Sequence, residues 1–250
     1  MPIADLLQPY ALIFAPLIVF VAYAVMGISG FGSTLIAVPL LAHLFPLKFV
    51  VPLVVMLDCA GAFSMGIRLR ADLMRRELWW LMPFMALGVV GGVWLLVRLH
   101  PELLLGALGA FVVLFGIGYI GKRGGGLPLP HWAGAPLGVF GGAVSSVFGF
   151  GGPIYVFFLT GRGASPVQIR ATMPVIFMFT TVARITLFAV AGLYSPASLA
   201  AALALLPVLE LGLWTGHRLH LNLSRDTLIR VIGGLLVLSG LSLLVRALSS

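Results

Sequence analysis

Two glycine-rich segments interrupt long apolar runs in this sequence. The first reads Gly-Ile-Ser-Gly-Phe-Gly over 27–32, and the second reads Gly-Phe-Gly-Gly-Pro over 149–153. Glycine tolerates positive φ angles and allows close approach of a ligand, so each segment predicts a break in a helix. A helix that restarts after a break points its free N–H groups and its positive dipole end at the break, and this arrangement favours a bound anion.

Hydroxyl side chains beside both breaks add further hydrogen-bond donors. We expect the restarting helices, near Ser33 and near Gly152, to face each other across a pseudo-twofold axis and form an oxyanion cage without a fixed full charge. The alternative is that the glycines serve only close helix packing. The residues predicted to bind the anion are Ser29, Gly30, Phe31, Gly32, Ser33, Thr34, Ser145, Ser146, Gly149, Phe150, Gly151, Gly152 and Pro153.

The composition indicates that these breaks lie inside a membrane. Hydrophobic residues make up 61% of the chain and charged residues only 9%, whereas a soluble domain carries roughly a quarter charged residues. The net charge of +8 does not indicate a nucleic-acid partner, because Lys and Arg occur in short loops between apolar runs, as orientation signals do. We therefore predict an all-α, polytopic membrane protein surrounded by lipid.

An internal repeat relates the two breaks. Gly30-Phe-Gly32 recurs 119 positions later, and the pattern Gly-x-Trp-x-x-x-Arg-Leu-His over 92–100 recurs 120 positions later over 212–220. The sequence therefore predicts two homologous halves, 1–123 and 124–250, within one membrane domain. Each half has a broken helix pair and about three spanning helices.

Charges in the loops favour an inverted arrangement of these halves. If 11–46 and 132–160 are re-entrant pairs, each half crosses the membrane three times, and the cations fall mostly on one side. That side holds Arg68, Arg70, Arg75, Arg76, Lys122, Arg123, Arg162, Arg170, Arg218 and Arg225, and the other holds Lys48, Arg98 and Arg246. If each broken pair crosses once instead, the bias nearly vanishes. The run 11–28 is nevertheless long enough to cross alone, so both topologies stay open.

Three charged residues within predicted spans are candidates for coupling. Asp58 and Glu210 lie within apolar runs, where a carboxylate is costly and marks a functional site by default. Either one carries a proton during transport or stays protonated and hydrogen-bonds to a neighbouring helix. Arg184 either supplies positive charge to the cavity, pairs with Asp58, or extends to the outer interface. The five histidines and the single cysteine predict no metal site and no cofactor.

The paired motifs over 27–39 and 145–153 resemble the signatures of the sulfite exporter TauE/SafE family. The resemblance covers essentially the whole chain. In the first half the chain departs from the family's small-residue and Thr-Ser stretch, since 52–58 reads Pro-Leu-Val-Val-Met-Leu-Asp. The family comprises membrane permeases for sulfite, sulfonates and related organosulfur anions.

The resemblance implies a permease that moves a small sulfur-containing anion across the bacterial inner membrane. Together with the repeat, this predicts a secondary transporter, and Asp58 or Glu210 would provide proton coupling. Inverted repeats with broken helices are a recurrent architecture of such transporters. The alternatives are a passive anion channel of the same fold and a membrane-embedded enzyme. The sequence offers no convincing nucleophile, base or metal cluster, so it predicts no enzyme. It leaves the oligomeric state open.

Overall fold

A computed structural model of the protein describes residues 9–29, 32–65, 72–121, 128–218, 234 and 237–247. Their regular structure is helical. No described residue lies in a strand, so the all-α prediction is confirmed. The helices are α1 (Pro9–Ser29), α2 (Ser33–Leu41), α3 (Leu47–Met65), α4 (Arg75–Arg98), α5 (Pro101–Gly121), α6 (Gly134–Phe148), α7 (Gly152–Gly161), α8 (Pro166–Val190), α9 (Pro196–Arg218) and α10 (Val237–Ala247), with one 3-10 turn at His131–Ala133.

Four of the described helices are long and apolar enough to cross a membrane. The candidate spans are Tyr10–Ile28, Arg75–Arg98, Pro166–Val190 and Pro196–Arg218. In contrast, α2 has 9 residues and α7 has 10, well below the roughly 20 residues that a helix needs to cross a bilayer. Both short helices begin where the breaks predict, at Ser33 and at Gly152.

Local sequence signals set the helix ends. At the start of α8, Ser165 and Gln168 form a reciprocal capping box, in which each side chain bonds to the other's backbone N–H. Such a box satisfies two N–H groups that the first turn leaves free. At the end of α8, Gly192 adopts φ +66° and the Leu193 N–H donates to the Phe188 carbonyl at 2.9 Å. Glycine permits this left-handed stop.

The chain folds into two units, each built from both halves of the sequence. Unit 1 comprises Met1–Ser64, Leu99–Arg123 and Tyr194–Ser250, and unit 2 comprises Met65–Arg98 and Gly124–Leu193. Among the described residues, unit 1 therefore contains α1, α2, α3, α5, α9 and α10, and unit 2 contains α4, α6, α7 and α8.

Repeat-related helices pair in the same way inside each unit. In unit 2, a methyl group on Gly92 of α4 would lie 2.6 Å from the Ala143 carbonyl oxygen of α6. In unit 1, a methyl group on Gly212 of α9 would lie 2.7 Å from the Phe20 carbonyl oxygen and 3.2 Å from the Ala24 nitrogen of α1. The backbones approach this closely because glycine has no side chain. Gly92 and Gly212 are the repeated residues of the sequence motif, and Ala24 and Ala143 are 119 positions apart.

The two short helices lie in different surroundings. In α2, eight of the nine residues are buried within unit 1. In unit 2, α7 contributes its tyrosine, phenylalanine and leucine to an apolar core shared with α4 and α8. That core consists of Leu78, Leu81, Met85, Tyr155, Phe158, Leu159, Met173 and Ile176.

Candidate functional site

The first break leads into α2 through a glycine in the left-handed region of the backbone map. Gly32 precedes the helix with φ +99°, a left-handed conformation that side chains rarely adopt. Ser33 and Thr34 then form the first turn of α2, and both are buried. Ser29 is the last residue of α1, and the predicted site residues Gly30 and Phe31 lie outside the described residues.

A carboxylate lies at the start of α2. The Ser33 hydroxyl donates to Asp58 Oδ1 at 2.9 Å, and the Thr34 hydroxyl donates to Asp58 Oδ2 at 2.6 Å. The fully buried Tyr23 of α1 also donates its hydroxyl to Asp58 Oδ1, at 2.8 Å. The structure thus joins two groups that the sequence analysis treated separately, the hydroxyls expected to bind substrate and the carboxylate expected to carry a proton.

This cluster shows what the first break does chemically. Hydroxyl donors and the positive end of a helix dipole both stabilise negative charge. At the start of α2, three such hydroxyls surround the side-chain oxygens of Asp58. The Ser33 and Thr34 hydroxyls, which were predicted to bind an anion, therefore contact the Asp58 side chain, and the predicted cage did not include this contact.

The second break follows the end of α6. Gly149 adopts φ +87° as the C-cap, and its N–H donates to the Ser145 carbonyl at 2.9 Å. The chain then passes Phe150 and Gly151 before α7 begins. A methyl group on Gly151 would overlap the Gly141 carbonyl oxygen of α6. This glycine is therefore required by the close approach of the two backbones.

Arg184 of α8 binds the carbonyl groups at this second break. Its Nη1 donates to the carbonyls of Ser145 at 3.0 Å and Gly149 at 3.1 Å, and its Nε donates to Thr180 at 3.3 Å. The side chain is only 3% exposed. Arg184 therefore contacts backbone carbonyls of α6 and α8 at this break. A cation at a helix C-terminus is stabilised by the dipole.

The remaining residues predicted for the second break face different neighbours. Ser145 is buried, and its Cβ would lie 3.0 Å from a methyl group on Gly151. Ser146 instead faces α4, where its Cβ would lie 2.8 Å from a methyl group on Gly92. Gly152 and Pro153 form the first turn of α7, and the Phe150 ring lies 6.2 Å from that of Phe148. The break therefore collects Ser145 and Gly149–Pro153, while Ser146 lies in a helix interface.

The second carboxylate proposed for coupling lies on the surface of the protein. Glu210 lies on α9 in unit 1 and is exposed, and it accepts a hydrogen bond from the Ser64 hydroxyl of α3. Asp58, in contrast, is partly buried and held by three hydroxyls. Of the two carboxylates, Asp58 has the more specific environment.

Two groups of residues escaped the sequence analysis. Tyr155 of α7 lies against the second break, and only its position two residues after Pro153 hinted at this. Glu77 of α4 is only 5% exposed. It accepts two hydrogen bonds from the Arg162 guanidinium, at 3.1 and 3.2 Å, and its carboxylate lies 3.0 Å from His131 Nδ1. This cluster connects the start of α4 to the end of α7.

No group of metal-ligating side chains occurs in the described part of the chain.

Comparison with known proteins identifies relatives by name. The chain is 27% identical over 195 residues to the "Probable inner membrane transporter protein TsaS" of Comamonas testosteroni. The aligned region covers 76% of this chain and 81% of that protein. It is 33% identical over 113 residues to the "Probable sulfite/organosulfonate exporter TauE" of Cupriavidus necator, which covers 45% of this chain and 44% of that protein.

The family comparison extends over most of the chain. No solved structure matches it significantly. The family profile described as "Sulfite exporter TauE/SafE" matches residues 15–243, a range that includes both breaks, Asp58 and Arg184. Relatives in the family are named as transporters and not as enzymes. This membrane protein therefore belongs to the sulfite exporter TauE/SafE family of transporters.

Proposed function

We propose that this protein is a secondary transporter of sulfite or a small organosulfonate in a bacterial inner membrane. The names of the relatives support the substrate class and the membrane. The observation that carries the proposal is the Asp58 carboxylate held by Tyr23, Ser33 and Thr34. A cluster that binds two oxygens of a carboxylate has the donors that two oxygens of a sulfur oxyanion need.

Asp58 is the coupling group in this proposal. As a carboxylate it occupies the hydroxyls and repels a second anion at the start of α2. Proton binding removes that charge and lets the Ser33 and Thr34 hydroxyls turn to the substrate. Proton and anion therefore bind together, which couples anion flux to a proton gradient.

The second break supplies positive charge. Arg184 is buried among the carbonyls of Ser145 and Gly149, and an arginine in that position provides a full positive charge for an anion. We propose that the guanidinium of Arg184 attracts an anionic substrate to the second break.

The proposed transport motion rests on an inverted repeat of 1–123 and 124–250, with the segments around the breaks re-entrant. The loop charges support it, and so does the matching of helix bounds. The starts of α2 and α3 at Ser33 and Leu47 have counterparts 119 positions later at Gly152 and Pro166. Such repeats alternate access by moving one bundle against the other.

Ligand binding and flux test this function together. Purified protein is heated in detergent with sulfite, thiosulfate, sulfate or small sulfonates, and a bound ligand raises the apparent melting temperature. Reconstituted vesicles then report whether flux of the bound anion saturates and responds to a proton gradient. Stabilisation by sulfite or a sulfonate with saturable, gradient-dependent flux is expected. Non-saturating flux that ignores the gradient would indicate a channel, and product formation without transport would indicate an enzyme.

A further inference from the structure

A tyrosine hydroxyl beside the second break is buried without a partner. Tyr155 of α7 is 1% exposed, and its hydroxyl has no hydrogen-bond partner among the described residues. The ring lies between two glycines, because methyl groups on Gly141 and on Gly151 would lie 2.9 and 3.0 Å from its carbon atoms. The side chain therefore follows the face of α6 that carries Gly141 and, one turn later, Ser145.

Packing alone does not account for the hydroxyl. The ring belongs to the apolar core of unit 2, and a phenylalanine would fill the same space without a polar atom. Leaving a hydroxyl unpaired in such a core is unfavourable. A tyrosine at this position therefore indicates an acceptor that the described residues do not supply.

A positive charge identifies the kind of acceptor. A methyl group on Gly151 would lie 3.0 Å both from the Tyr155 ring and from the Cβ of Ser145. Arg184 donates to the carbonyl of that same Ser145, on the α6 face along which the ring lies. A guanidinium and a phenol together attract an oxyanion, because the first supplies charge and the second a directed O–H donor. A sulfite or sulfonate headgroup offers several oxygens for both.

We propose that the Tyr155 hydroxyl donates a hydrogen bond to one oxygen of the bound sulfur oxyanion, while Arg184 supplies the charge. This inference rests on the proposed function and adds a substrate-binding residue outside both glycine motifs. Hydrogen bonds to charged groups are among the stronger ones in proteins, so loss of the hydroxyl weakens binding by roughly tenfold to a hundredfold.

The test is Tyr155→Phe, which keeps the ring and removes only the oxygen. Dissociation constants for sulfite and methanesulfonate are measured by calorimetry on detergent-solubilised protein, and the ligand-free melting temperature is measured beside them. The matched control is Ser239→Ala on α10, since that hydroxyl is also buried without a partner among the described residues but belongs to unit 1. We expect Tyr155→Phe to raise both dissociation constants about tenfold or more and the control to leave them unchanged.

Each result has one meaning. Unchanged dissociation constants for Tyr155→Phe overturn the inference and leave the proposed function standing. A variant that does not fold shows that the hydroxyl is structural, which also overturns the inference. Equal weakening by Ser239→Ala shows a general effect of lost buried hydroxyls and overturns it as well. If wild-type protein binds neither probe, the proposed function fails first, and the inference fails with it.

Discussion

The two glycine breaks share a sequence pattern but present opposite charges. At the first break, Asp58 contacts the start of α2 through the hydroxyls of Ser33 and Thr34. At the second, Arg184 contacts the end of α6 through the carbonyls of Ser145 and Gly149. Each side chain matches the sign of the helix end that it meets, negative at an N-terminus and positive at a C-terminus.

Positions that lie 119 residues apart, the spacing of the two breaks, do not carry matching polar groups. The positions 119 residues after Ser33 and Thr34 are Gly152 and Pro153, which carry no hydroxyl, and the position 119 residues after Asp58 is Phe177. The position 119 residues before Arg184 is Met65. The two breaks therefore share their glycines, while the polar group beside each break is different.

The largest difference between the breaks is expected from valine substitutions at their glycines. Gly151→Val places a branched side chain into the Gly141 carbonyl of α6, whereas Gly32 has open space but a positive φ angle. Overpacking against backbone costs about 1–3 kcal/mol or more, and the left-handed angle about 1–2 kcal/mol. Both variants should lose stabilisation by sulfite, and Gly151→Val should melt at the lower temperature.

Gly91→Val is the control for this pair, because a methyl group there would meet no atom within 4 Å. Thermal unfolding with and without sulfite measures both effects. If either Gly32→Val or Gly151→Val keeps wild-type affinity for sulfite, that break serves helix packing and not the ligand.

The next effect separates the two carboxylates of unit 1. Asp58→Asn preserves size but cannot titrate, so anion flux in vesicles should lose its dependence on the proton gradient while the protein still folds. Glu210→Gln should retain that dependence, because Glu210 is exposed and contacts only a serine hydroxyl in the described contacts. The opposite outcome would assign coupling to Glu210 and leave Asp58 a structural role.

The smallest effect compares two arginines that bind backbone carbonyls, three for Arg184 and two for Arg246. Arg184→Lys replaces a planar guanidinium with a single ammonium group, which cannot serve Ser145, Gly149 and Thr180 together. One unpaired buried carbonyl costs about 1–3 kcal/mol. Arg246→Lys should cost less, because Arg246 is exposed where it binds the carbonyls of Ala42 and His43. Denaturation in detergent compares the two variants, and an equal loss would show that burial of Arg184 adds nothing.

Local features of the fold were predictable from sequence, and long-range contacts were not. The helix starts at Ser33 and Gly152 follow from glycine chemistry at the breaks. The contact of Asp58 with the hydroxyls of α2 spans about two dozen residues, and it depends on how α2 and α3 are rotated about their axes. Apolar runs in lipid have weak periodicity, so they do not reveal that rotation. Tyr155 was missed for the same reason.

The pairing of α1 with α9 has a consequence for how the protein is made. The first of these helices ends at Ser29, and the second begins at Pro196, so most of the chain is synthesised before α1 meets its partner. The close contacts around Gly212 form only after that delay. During translation α1 must therefore persist in the bilayer as a separately inserted helix, shielded by lipid or by the insertion machinery. A ribosome that stops after the first half releases a polypeptide in which α1 can still bond to α3 through Tyr23 and Asp58 but lacks α9, and such incomplete packing leaves apolar surface exposed.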